Sequence, residues 1–247
     1  MAADLFHPAQ ITLTRRKVHL LEHFRKRGVN VTDNNCDAIK RSDVIIIAVE
    51  PQQIDRLLEE IAADLSVEKH IVISVVTGVS TRQILGKTHE NLSVVRAMPN
   101  TAISIRQSMT CLASESSNGE ALKVAESIFN ALGKSLQIEE ELMGAATALG
   151  ACGIAFFLRA IRAASQGGIE IGFSPAKALQ IAAQTAKGAS SLLLENQQHP
   201  EFEIDKVTTP RGVTISGLNQ MEHDGFSSAM IKGIVTSANK AAKLYEG

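Results

Sequence analysis

A chain of 247 residues has room for one or two domains and for a substantial buried core. Apolar residues make up 45% and aromatic residues 4%, with no Trp; such an Ala, Ile, Leu and Val protein suits parallel strands and close-packed helices. The 25 basic and 26 acidic residues leave a net charge of -1. That excludes a global field drawing in nucleic acid or an anionic membrane, with Arg15-Arg16-Lys17 and Arg25-Lys26-Arg27 as local exceptions.

The first part of the chain alternates short β-branched runs with helical patterns. Strands are predicted over 11–14, 29–32, 44–49, 71–76, 94–98, 109–113 and 135–138. Helices are predicted around 17–27, 52–64 and 119–132, the last closed by Gly133 as the residue after the helix. The run from Val44 to Val49 is apolar without alternation, as a strand buried on both faces would be. This order argues for an α/β fold with a doubly wound, mostly parallel dinucleotide-binding sheet.

After Glu139 no convincing strand remains. Ala-rich helical patterns follow, broken at Gly167-Gly168, at Ser174-Pro175 and through 200–212. Residues 1–138 therefore read as a nucleotide-binding domain and 139–247 as an all-helical domain. The helix expected over 142–166 is apolar on nearly every side through Phe157, so it must be buried deeply or against another subunit. Its uncharged stretch, 144–158, is too short to span a bilayer, and the protein is expected to be soluble.

Ligands of open α/β sheets bind beyond the carboxyl ends of the strands. Four segments lie there: Thr14-Arg15-Arg16, Ala48-Val49-Glu50-Pro51, Val76-Thr77-Gly78 and Met98-Pro99-Asn100-Thr101. An acidic residue at the first would bond a ribose 2′-hydroxyl, whereas a Thr with two arginines suits a 2′-phosphate. A solvated basic turn is the structural alternative. The second and third segments are small or apolar, so backbone can approach a flat cofactor. The fourth joins a rigid Pro to an amide that both donates and accepts. The candidate cofactor-binding set is Thr14, Arg15, Arg16, Asn35, Ala48, Val49, Glu50, Pro51, Val76, Thr77, Gly78 and Asn100.

Far along the chain, VTTPRGVTISGL (207–218) reads as a polar turn feeding a helix. Pro210 and Gly212 break the chain, and Thr214, Leu218 and Met221 then share a face. The first N–H groups of such a helix have no internal partners and make a ready carboxylate site, beside which Thr214 places a hydroxyl. An ordinary capped helix is the alternative for this segment alone. The three cysteines, Cys36, Cys111 and Cys152, show no disulfide or metal spacing, which argues for a reduced, cytoplasmic protein. The opening MAADLFHPAQ lacks the basic and apolar regions of a signal peptide. Only His19 and His23 are spaced as ligands could be, and without an acidic partner nearby no metal site is expected.

Taken together, RAMPNT (96–101), the 147–156 segment and TPRGVTISGL followed by Glu222, Gly225 and Phe226 have the order and spacing of the pyrroline-5-carboxylate reductases. RAMPNT resembles that family's R-x-M-P-N-T, and the third segment its S-P-G-G-T-T-I-x-G-L and E-x-G-G-F. AVEPQQ resembles A-V-K-P-Q, and LFHPAQITL the segment entering the second strand. The resemblance covers essentially the whole chain. It implies reduction of 1-pyrroline-5-carboxylate to L-proline, the last step of proline biosynthesis, with NADPH or alternatively NADH. It also implies a helical C-terminal domain forming a homodimer, often assembled further.

The chain departs from the family's pattern in several places. The opening strand and G-x-G-x-x-G turn have no counterpart ahead of Leu5, so the pattern starts about one strand and one helix late, and the first βα unit is missing. A misassigned start, a truncation and a real loss of the turn would each give this. G-S-G-P-A-Y becomes Gly150-Ala151-Cys152-Gly153-Ile154-Ala155-Phe156, Glu50 replaces a lysine, and Arg211 replaces the first glycine of a Pro-Gly-Gly turn.

What the resemblance implies for the reaction is a substrate carboxylate on the N–H groups near Gly212, Val213 and Thr214. The Thr214 hydroxyl, the candidate catalytic group, would then bond the imine nitrogen. Two other readings stay open at this point: a related NADP-dependent reductase of another small imine or carbonyl compound, and a catalytically impaired structural dimer. The expected partners are a small-molecule substrate and a second copy in a homodimer or higher homo-oligomer, with no nucleic acid or membrane.

Overall fold

The computed structural model describes residues 5–115 and 119–242. The chain forms two compact units, residues 1–151 with 237–247, and residues 152–236.

In the first unit, β1 (Thr12–Thr14), α1 (Glu22–Arg25) and β2 (Asn30–Thr32) are followed by α2 (Asn35–Lys40), β3 (Val44–Ile47) and α3 (Ile54–Ile61). Next come β4 (Ile71–Ser74), α4 (Thr81–Lys87), β5 (Ser93–Met98), β6 (Ser108–Ala113), α5 (Glu120–Asn130) and β7 (Gly133–Gln137). All seven expected strands form, trimmed or extended by a residue or two. β3 to β7 pair in chain order, all parallel except β5 with β6, and β1 pairs in parallel with β2 as a separate two-stranded sheet. The strands thus form two sheets where one doubly wound sheet was expected. On β3, the end strand of the five-stranded sheet, the side chain of Ile46 is half exposed.

Adjacent residues on a strand point to opposite faces, and both faces here are covered. Val72 and Val94 lie in one cluster with Ile54, Leu58 and Ile61 of α3 and Ile84 of α4. Their neighbours Ile73 and Val95 lie in another with Ala121, Ala125 and Phe129 of α5. That explains the apolar runs without alternation. The buried residues of α3 follow the spacing of one helix face.

Two short helices were not predicted. α2 is capped by Asn34, whose side chain accepts from Asp37 N, and α4 by Ser80, which forms a capping box with Gln83. Gly133 corrects an expectation: it opens β7 instead of closing a helix. Its φ is +149°, and a Cβ there would lie 2.1 Å from the Ser108 carbonyl oxygen, so the glycine is required by close approach of two strands. The sequence expected around 17–27 forms a 3-10 turn and the single-turn α1.

The chain then enters α6 (Met143–Ala146), a π turn over Thr147–Cys152, and α7 (Gly153–Glu170). α8 (Pro175–Asn196), α9 (Pro200–Lys206), α10 (Val213–His223) and α11 (Phe226–Ala241) follow, with no strand among the described residues after β7. α7 runs through Gly167-Gly168, where a break was expected. A Cβ on Gly168 would lie 3.1 Å from Ala178 Cβ, so this glycine serves close packing of α7 on α8. The chain instead turns at Gly172, with φ +109°. Ser174-Pro175 starts α8 as expected, whereas the broken stretch 200–212 contains α9. By length and composition, the helical stretch Glu140–Glu170 is apolar enough to cross a membrane.

Candidate functional site

β3, β4 and β5 are parallel neighbours, so the segments after them emerge on one edge of the sheet. After β3, Ala48 is exposed, Val49 packs against the core, and Glu50-Pro51 leads into a turn where Gln53 Nε2 lies 3.5 Å from Glu50 Oε2. After β4, Val76 N donates to Ser74 Oγ at 3.3 Å while the Val76 side chain is buried, leaving backbone as its outward face. Thr77 and Gly78 are half-buried, and Gly78 takes φ +84°, a left-handed conformation that glycine adopts without strain.

After β5, the Asn100 side chain works twice. Its Oδ1 accepts from Ala102 N at 3.0 Å, and its Nδ2 donates to the Gly150 carbonyl at 3.3 Å. One N–H and one lone pair of the amide remain for a ligand.

Thr14, Arg15 and Arg16 lie at the end of β1, in the separate two-stranded sheet, and all three are exposed. Arg15 N donates to Thr32 O at 3.2 Å. Neither guanidinium has a partner among the described residues, so both charges are available to an anion. Asn35 begins α2, and its Nδ2 donates to Glu60 Oε1 at 3.1 Å.

In the second unit, the turn before α10 is closed by Gly212 N donating to Thr209 O at 2.9 Å. A Cβ on Gly212 would sit 2.5 Å from Thr209 Oγ1 and 2.8 Å from Thr209 O, so only glycine fits. Arg211 holds φ +60°, a conformation glycine takes more cheaply. The first turn of α10 contains no acidic residue, so its amides and dipole are left to an outside anion. Val213 is 91% exposed and Thr214 half-buried; the Thr214 hydroxyl makes no hydrogen bond among the described residues. Among those residues no cluster of His, Cys, Asp or Glu could hold a metal ion.

Sequence reading passed over Glu140 and Thr81. Arg96 Nη1 lies 2.9 Å from Glu140 Oε1, and Thr81 at the head of α4 donates to the same carboxylate. Glu140 sits between two other glutamates, and nothing local marks the middle one as the half-buried partner of Arg96.

Comparison with known proteins gives the site its context. Residues 140–244 match the family described as pyrroline-5-carboxylate reductase dimerisation, and residues 1–78 match NADP oxidoreductase, coenzyme F420-dependent. Pyrroline-5-carboxylate reductase 2 of Dictyostelium discoideum is 46% identical over 98% of this chain and 86% of its own length. The chain belongs to the pyrroline-5-carboxylate reductase family. Pyrroline-5-carboxylate reductase 1 of the same organism is 55% identical over 99% of this chain, which spans 46% of that relative's length. A solved pyrroline-5-carboxylate reductase from Coxiella burnetii superposes with a TM-score of 0.91 at 30% identity, covering 99% of this chain and 92% of that one. The family membership agrees with the motifs at Arg96–Thr101 and 208–226.

Proposed function

We propose that this protein reduces 1-pyrroline-5-carboxylate to L-proline with NADPH, the last step of proline biosynthesis. The observation that carries this reading is the 46% identity to a reductase of that name across 86% of its length. NADPH, when bound, supplies the hydride. The residues present fit it: the unpartnered Arg15 and Arg16 suit a 2′-phosphate, and Gly78, with no side chain and φ +84°, leaves backbone open beside a flat ring. The match of residues 1–78 to an NADP oxidoreductase family supports the same cofactor.

The chain's own part is to bind, orient and manage one proton. The amides that open α10 hold the substrate carboxylate, and Gly212 keeps the turn tight enough to present them. As hydride adds to the imine carbon, the C=N π bond breaks and its electron pair takes a proton at nitrogen. The half-buried Thr214 hydroxyl bonds that nitrogen, donating the proton or orienting the water that does. A hydroxyl is a weak acid, so positioning contributes most of the rate.

Residues 1–138 serve as the nucleotide-binding domain and 139–247 as the substrate and dimerisation domain, in a homodimer or larger assembly. The dimerisation family match over 140–244 supports a second copy, not lipid, as the cover for Phe157 and Leu158, 62% and 58% exposed. No nucleic acid or membrane partner belongs to this reading. Three free thiols, Cys36, Cys111 and Cys152, support a cytoplasmic setting. Steady-state assay tests the function: NADPH consumption with equimolar L-proline supports it. Reduction of other cyclic imines without proline formation overturns it.

A further inference from the structure

Arg96, Met98 and Asn100 are two residues apart, so in extended backbone they share a face. Each meets the helical segment that opens at Glu140. Arg96 Nη1 is 2.9 Å from Glu140 Oε1. Met98 lies in one buried cluster with Met143, with Ala146 and Ala151 packed against it. Asn100 Nδ2 is 3.3 Å from the Gly150 carbonyl, inside the π turn Thr147–Cys152. π turns within helices recur at functional sites.

Glu140 also reaches sideways. Its Oε1 accepts from Thr81 N at 3.0 Å and its Oε2 from Thr81 Oγ1 at 3.3 Å. Thr81 is 1% exposed and directly follows the loop that carries Val76, Thr77 and Gly78. One carboxylate therefore joins the loop after β4, the strand β5 and the start of the helical segment.

The Arg96 and Glu140 side chains are only 8% and 14% exposed. A buried ion pair recovers little more than its desolvation cost, and two apolar side chains of similar size often do as well for stability. Met98 and Met143 show that apolar packing is available beside it. What the pair adds is direction, because a charge-assisted hydrogen bond fixes an orientation that sliding methyl groups do not.

We propose that Arg96 and Glu140 are positioning residues for the reduction, holding the Val76–Gly78 loop and the π turn Thr147–Cys152 in fixed register on the edge of the sheet. The proposal rests on the functional reading above. Neither residue touches a reacting atom; they act through Thr81 and through the β5 face that ends in Asn100.

The test uses the full chain, comparing the parent with the double variant Arg96→Met/Glu140→Leu and with Glu140→Gln, which keeps an acceptor for Thr81 N. Thermal unfolding, NADPH affinity, KM, kcat and amide hydrogen exchange are read on each. The double variant leaves the buried Thr81 N–H and hydroxyl without their Glu140 acceptor, so its Tm should fall by several degrees, while NADPH affinity and KM change less than kcat. Its kcat should fall on the order of tenfold to a hundredfold, the scale of a misplaced reacting group. Amide exchange should quicken selectively at 76–78 and 147–152. Glu140→Gln should show a smaller fall with the same exchange pattern, and it carries the test alone if the double variant does not fold. Parent-like kcat and exchange would overturn the proposal, as would a fall in kcat matched by lost Tm and uniformly faster exchange. If the parent itself forms no proline, the functional reading fails separately. The exchange pattern then decides the coupling by itself, selective quickening supporting it and any other pattern overturning it.

Discussion

In the unit formed by residues 1–151 and 237–247, Ile54, Val72, Ile73, Ile84, Val95 and Leu112 are all 0% exposed. In the unit 152–236, the buried residues among those described are Gly153, Ser165 and Ala178, while Leu194, Ile231 and Phe157 are 79%, 62% and 62% exposed. The two units draw on much the same apolar alphabet. The first folds it around a sheet covered on both faces; the second spreads it over long helices whose outward faces stay apolar. Large exposed apolar patches on a protein mark interaction sites. The difference teaches that the second unit leaves apolar faces to be covered, and the dimerisation-family match over 140–244 supports the proposal that a second copy covers them.

The largest expected effect is on that assembly. Phe157→Arg puts a charge on the apolar face of α7 and should convert dimer to monomer at micromolar concentration in sedimentation, while the sheet unit keeps its fold. A dimer of parental stability would place the interface elsewhere on the helices.

Within the second unit, Thr214→Ala removes the hydroxyl but keeps the backbone N–H, so substrate binding should survive while reduction slows. A hydrogen bond involving charge is worth roughly 1.5–3 kcal/mol, or on the order of tenfold to a hundredfold in kcat with KM little changed. Thr214→Ser should retain most activity. An unchanged kcat in the alanine variant would leave the α10 amides as this turn's whole contribution.

In the first unit, replacing Arg15 and Arg16 together by Ala should weaken NADPH binding on the order of tenfold and barely touch NADH. Equal loss for both cofactors would assign the two arginines a general electrostatic part.

The smallest effect is a pH dependence built into the sheet unit. His70 is 3% exposed, and Ser66 N donates to its Nδ1 at 2.9 Å, which places the ring proton on Nε2. Burial, and then the neighbouring Lys69 charge, hold its pKa below the usual histidine value. The unfolded chain therefore takes up this proton first. The stability His70 contributes is complete above about pH 6.5, is lost as pH falls from there, and levels off below the folded-state pKa. The Tm difference between parent and His70→Asn should shrink from neutral to mildly acidic pH. A constant difference would remove His70 from the acid sensitivity.

The strands β4 and β5 were legible because their β-branched runs sit in a sheet covered on both faces, which needs no alternation; β1 and β2 pair apart from that sheet, and β7 is largely exposed. α2 and α4 were not legible, since helices of six and seven residues are too short to show a period. Gly133 was misread because a glycine after a helical run ordinarily ends it; only the folded chain brings Ser108 against it. For the site, parallel strand order places three of the four strand-end segments on one edge, a consequence of topology that periodicity anticipates. The Arg96–Glu140 pair spans 44 positions and depends on which of three consecutive glutamates turns inward, so no local pattern marks it.

The central claim is hydride transfer to the imine of 1-pyrroline-5-carboxylate, and isotope transfer tests it most directly. The protein is given NADPH deuterated at the transferring position of the nicotinamide, together with the substrate, and the product is read by mass spectrometry. L-proline carrying one deuterium at the former imine carbon is the expected result. Unlabelled proline, or no proline under conditions where both NADPH and substrate bind, would contradict the account.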